Sequence, residues 1–80
     1  MQLFVRAGTE TKVVFAKRCT KVEEMHEMSC VVFGARVSDV YLHYSSKRLE
    51  NGKHLHDYNI DHNATLFLMG EAQGWWYDRS

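Results

Sequence analysis

Lys47-Arg48-Leu49-Glu50-Asn51-Gly52-Lys53-His54-Leu55-His56-Asp57-Tyr58-Asn59-Ile60 carries the local chemistry that decides how this chain folds. Asn51-Gly52 is a strong turn signal, because both residue types tolerate left-handed backbone. A polar, histidine-rich stretch follows as far as His62, with Leu55, Tyr58 and Ile60 as its apolar anchors. A tyrosine drawn into a small domain needs a partner for its hydroxyl, since an unpaired buried hydroxyl costs about 1 to 3 kcal/mol. Tyr58 is therefore read as structural. Just upstream, Val40-Tyr41-Leu42-His43-Tyr44 has strand composition with Val40, Leu42 and Tyr44 on one face. Ser45-Ser46 makes a tight corner into a shorter strand around Arg48-Leu49.

Towards the N-terminus, Met1, Leu3 and Val5 share one face of a strand, Ala7-Gly8-Thr9-Glu10 turns, and Thr11 to Phe15 resumes a β-rich run. These segments predict a hairpin. Thr20 predicts a helix N-cap, and Glu23 completes a capping box ahead of Val22, Met25, Met28 or Ser29, and Val32 at helical spacing. Gly34 supplies the stop. Thr65-Leu66-Phe67-Leu68-Met69 is the final strand. The order predicts an α+β fold in which one helix covers a mixed sheet of four to five strands. The predicted core comprises Leu3, Val5, Val13, Phe15, Val22, Met25, Leu42, Leu49, Leu55, Ile60, Leu66 and Leu68.

At 80 residues there is room for one domain, whose core must use nearly every apolar residue available. Ten acidic and ten basic residues cancel, so no net field draws the chain to nucleic acid or to an anionic membrane, and neither is expected as a partner. Apolar runs such as Cys30 to Phe33 fall far short of a membrane span, and the N-terminus lacks a signal peptide's apolar stretch. The expectation is an intracellular monomer, in cytoplasm or nucleus. Cys19 and Cys30 have no CxxC partner and are expected as free thiols, which argues against a thiolate zinc site. Among His26, His43, His54, His56 and His62, the pair His54-x-His56 puts two imidazoles on one face of an extended segment, but no HExxH accompanies it. No metal and no cofactor are expected. Nor is an enzyme, because nothing local arranges a base and an orienting group around a nucleophile such as Cys30.

The residues resemble the ubiquitin family. Met1-Gln2-Leu3-Phe4-Val5-Arg6 looks like that family's N-terminus nearly residue for residue. Lys47 to Ile60 resembles its lysine, leucine, acidic-x-Gly and Leu-x-Asp-Tyr-Asn-Ile run at the same spacing, and Ala64-Thr65-Leu66-Phe67-Leu68 continues it. The resemblance implies a β-grasp domain over residues 1–70, with 71–80 a tail or the start of a linker. It implies that the Tyr58 hydroxyl bonds to backbone in the Glu50 to Gly52 loop, and that His54 and His56 lie on a surface loop. It also implies a recognition patch. With Leu42, Leu66 and Leu68 facing the core, period-two alternation turns His43, Phe67 and Met69 outward, with Gly8 in the adjoining turn and Lys47 at the edge. In the family this patch is aliphatic at its centre; here His43 takes the central place and Gly8 removes a leucine.

Other positions depart from the family. The Ala7 to Arg18 region runs one residue short, Lys17 falls where an apolar side chain turns inward, and Ser29 takes the place of a large aliphatic residue. Arg36-Val37 replaces a proline pair, and His26 and Asn51 replace a buried lysine and aspartate. Family members act through a C-terminal Gly-Gly that joins them to targets, or through recognition of the sheet surface. The matching stretch here reads Gly70-Glu71-Ala72-Gln73-Gly74-Trp75, with one glycine where two are required. The implied function is a non-catalytic interaction domain of a larger protein, docking it onto protein partners of the ubiquitin system: a receptor, a ligase or the proteasome. The alternative is a divergent modifier, conjugated after processing. Trp75, Trp76 and Tyr77 follow the last strand, where they dock on the domain, meet a partner or begin the next region.

Overall fold

The computed structural model describes residues 1–70; the tail at 71–80, with Trp75, Trp76 and Tyr77, lies outside the described residues. β1 (Gln2–Ala7) and β2 (Glu10–Phe15) form an antiparallel hairpin around Gly8-Thr9. Gly8 sits at φ 61°, which glycine reaches without steric cost. The two-residue turn pairs Ala7 with Glu10 and thereby fixes every later partner, including Leu3 with Val14. Leu3 and Val5 are fully buried, so Val14 and Ala16 are carried inward and Val13 and Phe15 outward. This corrects the predicted core: Val13 is 45% exposed and Phe15 is 69% exposed. The short turn moves the strand by one residue, and a one-residue slip exchanges its two faces. Lys17 is exposed, with Ala16 taking the inward place. Lys12 shares the inward phase and reaches over the Phe33 ring, its ammonium 5.7 Å from the centroid.

α1 (Val22–Phe33) begins one residue later than the sequence predicts. Thr20 is committed elsewhere, its hydroxyl accepting the Lys17 N–H at 2.9 Å. Lys21 therefore becomes the N-cap residue, and Glu24, not Glu23, accepts its backbone N–H at 3.2 Å. Val22, Met25, Ser29 and Cys30 face inward, whereas Val32 is 40% exposed. Ser29 is fully buried without stranding its hydroxyl, which donates to the Met25 carbonyl at 2.8 Å. Gly34, at φ 67°, ends the helix, and the Ala35 N–H reaches back to the Cys30 carbonyl at 2.9 Å.

A 3₁₀ turn at Val37–Asp39 leads into β3 (Val40–Tyr44), which turns at Ser45-Ser46 into β4 (Lys47–Arg48). Both serines have positive φ, 53° and 66°, as a tight primed hairpin turn requires. A second 3₁₀ turn at Leu55–Tyr58 precedes β5 (Thr65–Gly70), which pairs parallel to β1 and antiparallel to β3. The mixed five-stranded sheet, ordered β2-β1-β5-β3-β4, and its one helix make an α+β β-grasp fold. Leu3, Val5, Met25, Leu42, Leu55, Ile60, Leu66 and Leu68 form the centre of its core, each at most 2% exposed.

The loop between β4 and β5 is tied to the helix start. The Val22 N–H donates to the Lys53 carbonyl at 2.8 Å, the Leu55 N–H to the Thr20 carbonyl at 3.0 Å, and the Gly52 N–H to the Glu23 carboxylate at 2.9 Å. Of the Asn51-Gly52 pair, only Gly52 takes positive φ, at 88°. Among the described residues no helix is long and apolar enough to cross a membrane.

Candidate docking face

Strand registers assemble the outer face of the sheet. Leu42, Leu66 and Leu68 point to the core, so their neighbours on each strand point away from the helix. His43 lies opposite Phe67 and Tyr41 opposite Met69. On the far side of β5, Arg6 pairs with Phe67 and Phe4 with Thr65, while on the edge Arg48 pairs with His43. One row thus runs Arg6, Phe67, His43, Arg48 across four strands, flanked by Met69 and Tyr41. Phe67 is 38% exposed, and His43, Met69 and Tyr41 are half-buried. The His43 and Phe67 rings meet edge to face, centroids 6.5 Å apart at 67°. The Arg48 guanidinium stacks over Tyr41, 4.3 Å from the ring centroid.

His43, Phe67 and Met69 therefore come together, and Gly8 lies in the exposed turn beyond β1, where the Arg6 guanidinium donates to its carbonyl at 3.3 Å. Lys47 does not join the row. It is exposed on β4 but pairs with Tyr44, which follows the phase of Leu42, and Arg48 is the residue across from His43. Sequence reasoning missed Tyr41 and Arg48. Tyr41 was legible, since the alternation that buries Val40 and Leu42 also turns it outward. Among the described residues these rows contain arginines and no carboxylate.

A second cluster supports the fold. The Tyr58 hydroxyl accepts the Glu50 N–H at 3.0 Å, bridging the loop that Gly52 turns. Asn59, at φ 57°, closes the 3₁₀ turn, and the Ile60 N–H reaches the Leu55 carbonyl. Beside it, the His54 and His56 rings stack 5.1 Å apart, and both face the Asp57 carboxylate at 3.6 and 3.5 Å. Asp57 also accepts the His54 N–H at 2.8 Å, and this bond leads the causes that hold its carboxyl below the ordinary range, with the two imidazoles adding to it. Among the described residues no group of three or more His, Cys, Asp or Glu side chains is arranged to hold a metal ion.

His26 and Asn51 form no pair: Asn51 is exposed, and the buried His26 Nε2 has no hydrogen-bond partner among the described residues. Cys30 is buried and Cys19 exposed, both as free thiols. Burial, followed by the nearby Glu27 charge, pushes the Cys30 thiol up from its ordinary value.

The sheet order, the parallel β1 and β5 pair and the Tyr58 bridge are joined by a direct match: a family model described as "Ubiquitin family" covers residues 3–73. The chain belongs to the ubiquitin family. No curated protein matches it. At the centre of the outer face the His43 imidazole and the Phe67 ring meet edge to face. The tail segment beyond Gly70, where the sequence lacks Gly-Gly, falls outside the described residues.

Proposed function

We propose that this ubiquitin-family domain is a non-catalytic protein-interaction module, part of a larger protein, that docks through its outer sheet face onto protein partners of the ubiquitin system. The observation that carries this is the contiguous row Phe67 and His43 with Met69 and Tyr41 beside it, large side chains half in solvent on the sheet face that no described helix covers. Exposed apolar groups grouped in this way are characteristic of contact surfaces. Arg6 at the margin favours a partner that sets a carboxylate beside an apolar ridge, as an amphipathic acidic helix does. His43 re-specifies the face, because an imidazole must be desolvated where a methyl-rich surface is expected.

Conjugation is the weaker alternative. Trp75 stands where a second glycine is needed, and a bulky indole does not fit a channel that admits an extended glycine tail. An NMR titration of the labelled chain with a ubiquitin-binding helix tests the proposal. Shifts centred on Tyr41, His43, Phe67 and Met69 support it; shifts centred on another surface reject it.

A further inference from the structure

The chain has three asparagines, Asn51, Asn59 and Asn63, and all are exposed. They differ in the residue that follows. Ile60, after Asn59, is buried and branched at Cβ, and its N–H donates to the Leu55 carbonyl at 3.3 Å. Ala64, after Asn63, gives its N–H to the Asp61 carbonyl at 3.0 Å. Gly52, after Asn51, is exposed, and a Cβ added there would meet nothing within 4 Å. Its N–H donates to a side chain, the Glu23 carboxylate, at 2.9 Å. The nitrogen after an asparagine can close a five-membered ring on the side-chain carbonyl carbon, and such an intramolecular step gains from proximity. The step needs room for the ring, which a successor without Cβ supplies, and a nitrogen that can give up its proton.

We propose that Asn51 is a self-modification site, converting to aspartate and isoaspartate in the folded chain at a rate that the Glu23 carboxylate restrains. When the bond to Glu23 opens, hydroxide or water takes the Gly52 amide proton and the nitrogen attacks Asn51 Cγ. The N–Cγ bond forms, the Cγ–Nδ2 bond breaks, and Nδ2 leaves as ammonia with a proton from solvent. Water then opens the cyclic imide. Cleavage of the new N–Cγ bond gives aspartate; cleavage between Gly52 N and the Asn51 main-chain carbonyl carbon gives isoaspartate, with the chain now running through the side chain. In sum, an amide and water become a carboxylic acid and ammonia, and nothing is oxidised or reduced. While the bond to Glu23 is closed it keeps the proton on nitrogen, and the carboxylate charge opposes the amide anion. The same bond leads the causes that hold the Glu23 carboxyl below its ordinary range, so Glu23 is ionised and the latch is in place at neutral pH.

The place of Asn51 gives its conversion a structural consequence. Asn51 lies between two tethers, the Glu50 N–H held by the Tyr58 hydroxyl at 3.0 Å and the Gly52 N–H held by Glu23. Just beyond them the Lys53 carbonyl accepts the Val22 N–H at the start of α1. Either product sets a new carboxylate between Glu50 and the residue bound to Glu23, and like charges at this range repel. Isoaspartate also lengthens the main chain by one methylene, so the two tethers no longer keep their spacing. Conversion therefore loosens the loop's hold on the helix start. It is a slow, one-way switch on a surface separate from the His43 face, and it stands whether or not that face docks partners.

Incubation of the full 80-residue chain at mildly alkaline pH, followed over time by peptide mass spectrometry, tests this. Tryptic cleavage after Arg48 and Lys53 isolates Asn51 in residues 49–53, whereas Asn59 and Asn63 fall together in residues 54–79. The expected result is replacement of NH by O in the first peptide while the second stays unchanged, with the isoaspartyl linkage detected by enzymatic carboxyl methylation. Amide exchange at Gly52 and Val22 quickens in the converted chain. Glu23→Ala, a replacement that a first helical turn accepts, quickens conversion by roughly 2- to 10-fold, the opening of one ordinary hydrogen bond. Conversion of Asn59 or Asn63 ahead of Asn51 overturns the proposal. So does a folded chain that keeps Asn51 intact over a period in which the urea-unfolded chain converts fully. A folded Glu23→Ala variant that converts no faster than the parent overturns the restraint by Glu23.

Discussion

Tyr58→Phe removes a single oxygen and leaves a ring of the same shape in the same half-buried place. What is lost is the acceptor for the Glu50 N–H, held at 3.0 Å across the Gly52 turn. Glu50 is exposed, so water can reach the freed N–H, and the cost is that of an ordinary hydrogen bond, about 0.5 to 1.5 kcal/mol, not that of a buried orphan donor. For a domain of this size about 1 kcal/mol lowers Tm by roughly 4 to 8 °C. Tyr58→Ala also removes ring contacts with the core and costs more, by up to about 1.5 to 3 kcal/mol. Urea denaturation of both variants separates the two contributions, with the midpoint falling and the slope unchanged. Amide exchange at Glu50 should quicken in Tyr58→Phe while exchange at Leu66 follows global stability. No stability loss in Tyr58→Phe, together with unchanged Glu50 exchange, would refute the hydroxyl's role as a bridge and leave the ring as the whole of its contribution.

Leu66 is fully buried on β5 between β1 and β3, and Leu66→Ala should cost about 2 to 5 kcal/mol in chemical denaturation; a loss below about 1 kcal/mol contradicts the strand register. Asp57 and Asp61 have carboxyls held below their ordinary values first by backbone N–H donors, from His54 and His62 respectively. A depressed folded-state value means that their stabilisation is present above the unfolded value of 3.8 and is lost as pH falls through the folded one. Acid unfolding below about pH 4 should therefore be blunted in Asp57→Asn, and equal acid sensitivity of variant and parent contradicts this. Incubated with ubiquitin-activating enzyme and ATP, the chain should form no thioester, and a thioester trapped on non-reducing gels would reinstate the modifier alternative.

The parts of the fold that were legible in sequence are those where local chemistry and pattern agree. The Lys47 to Ile60 stretch, the inward phase of Leu3 and Val5, and the alternation in β3 and β5 each follow from a period of two or a turn that needs left-handed backbone. β2 was not legible, because Thr11 to Phe15 offers apolar residues in both phases and turn length alone decides between them. Val13 and Phe15 outside, with Val14 and Ala16 inside, is a consequence of Ala7 pairing with Glu10. Thr20 misled for a similar reason: a good capping hydroxyl serves whichever N–H is near, and here the Lys17 turn takes it. On the outer face the alternation yielded His43, Phe67 and Met69, whereas Arg48 required the register of a two-residue strand that no pattern can specify.

In the proposed role, the outer sheet face docks partners and His43 sets its selectivity. The decisive measurement is the dissociation constant for one ubiquitin-binding helix, by calorimetry, for the parent chain and for His43→Ile. Replacing a half-buried imidazole by an aliphatic side chain beside Phe67 should recover about 1 to 2 kcal/mol, a tightening of roughly 5- to 30-fold. Unchanged or weaker binding in a folded His43→Ile variant would contradict a docking role for this face.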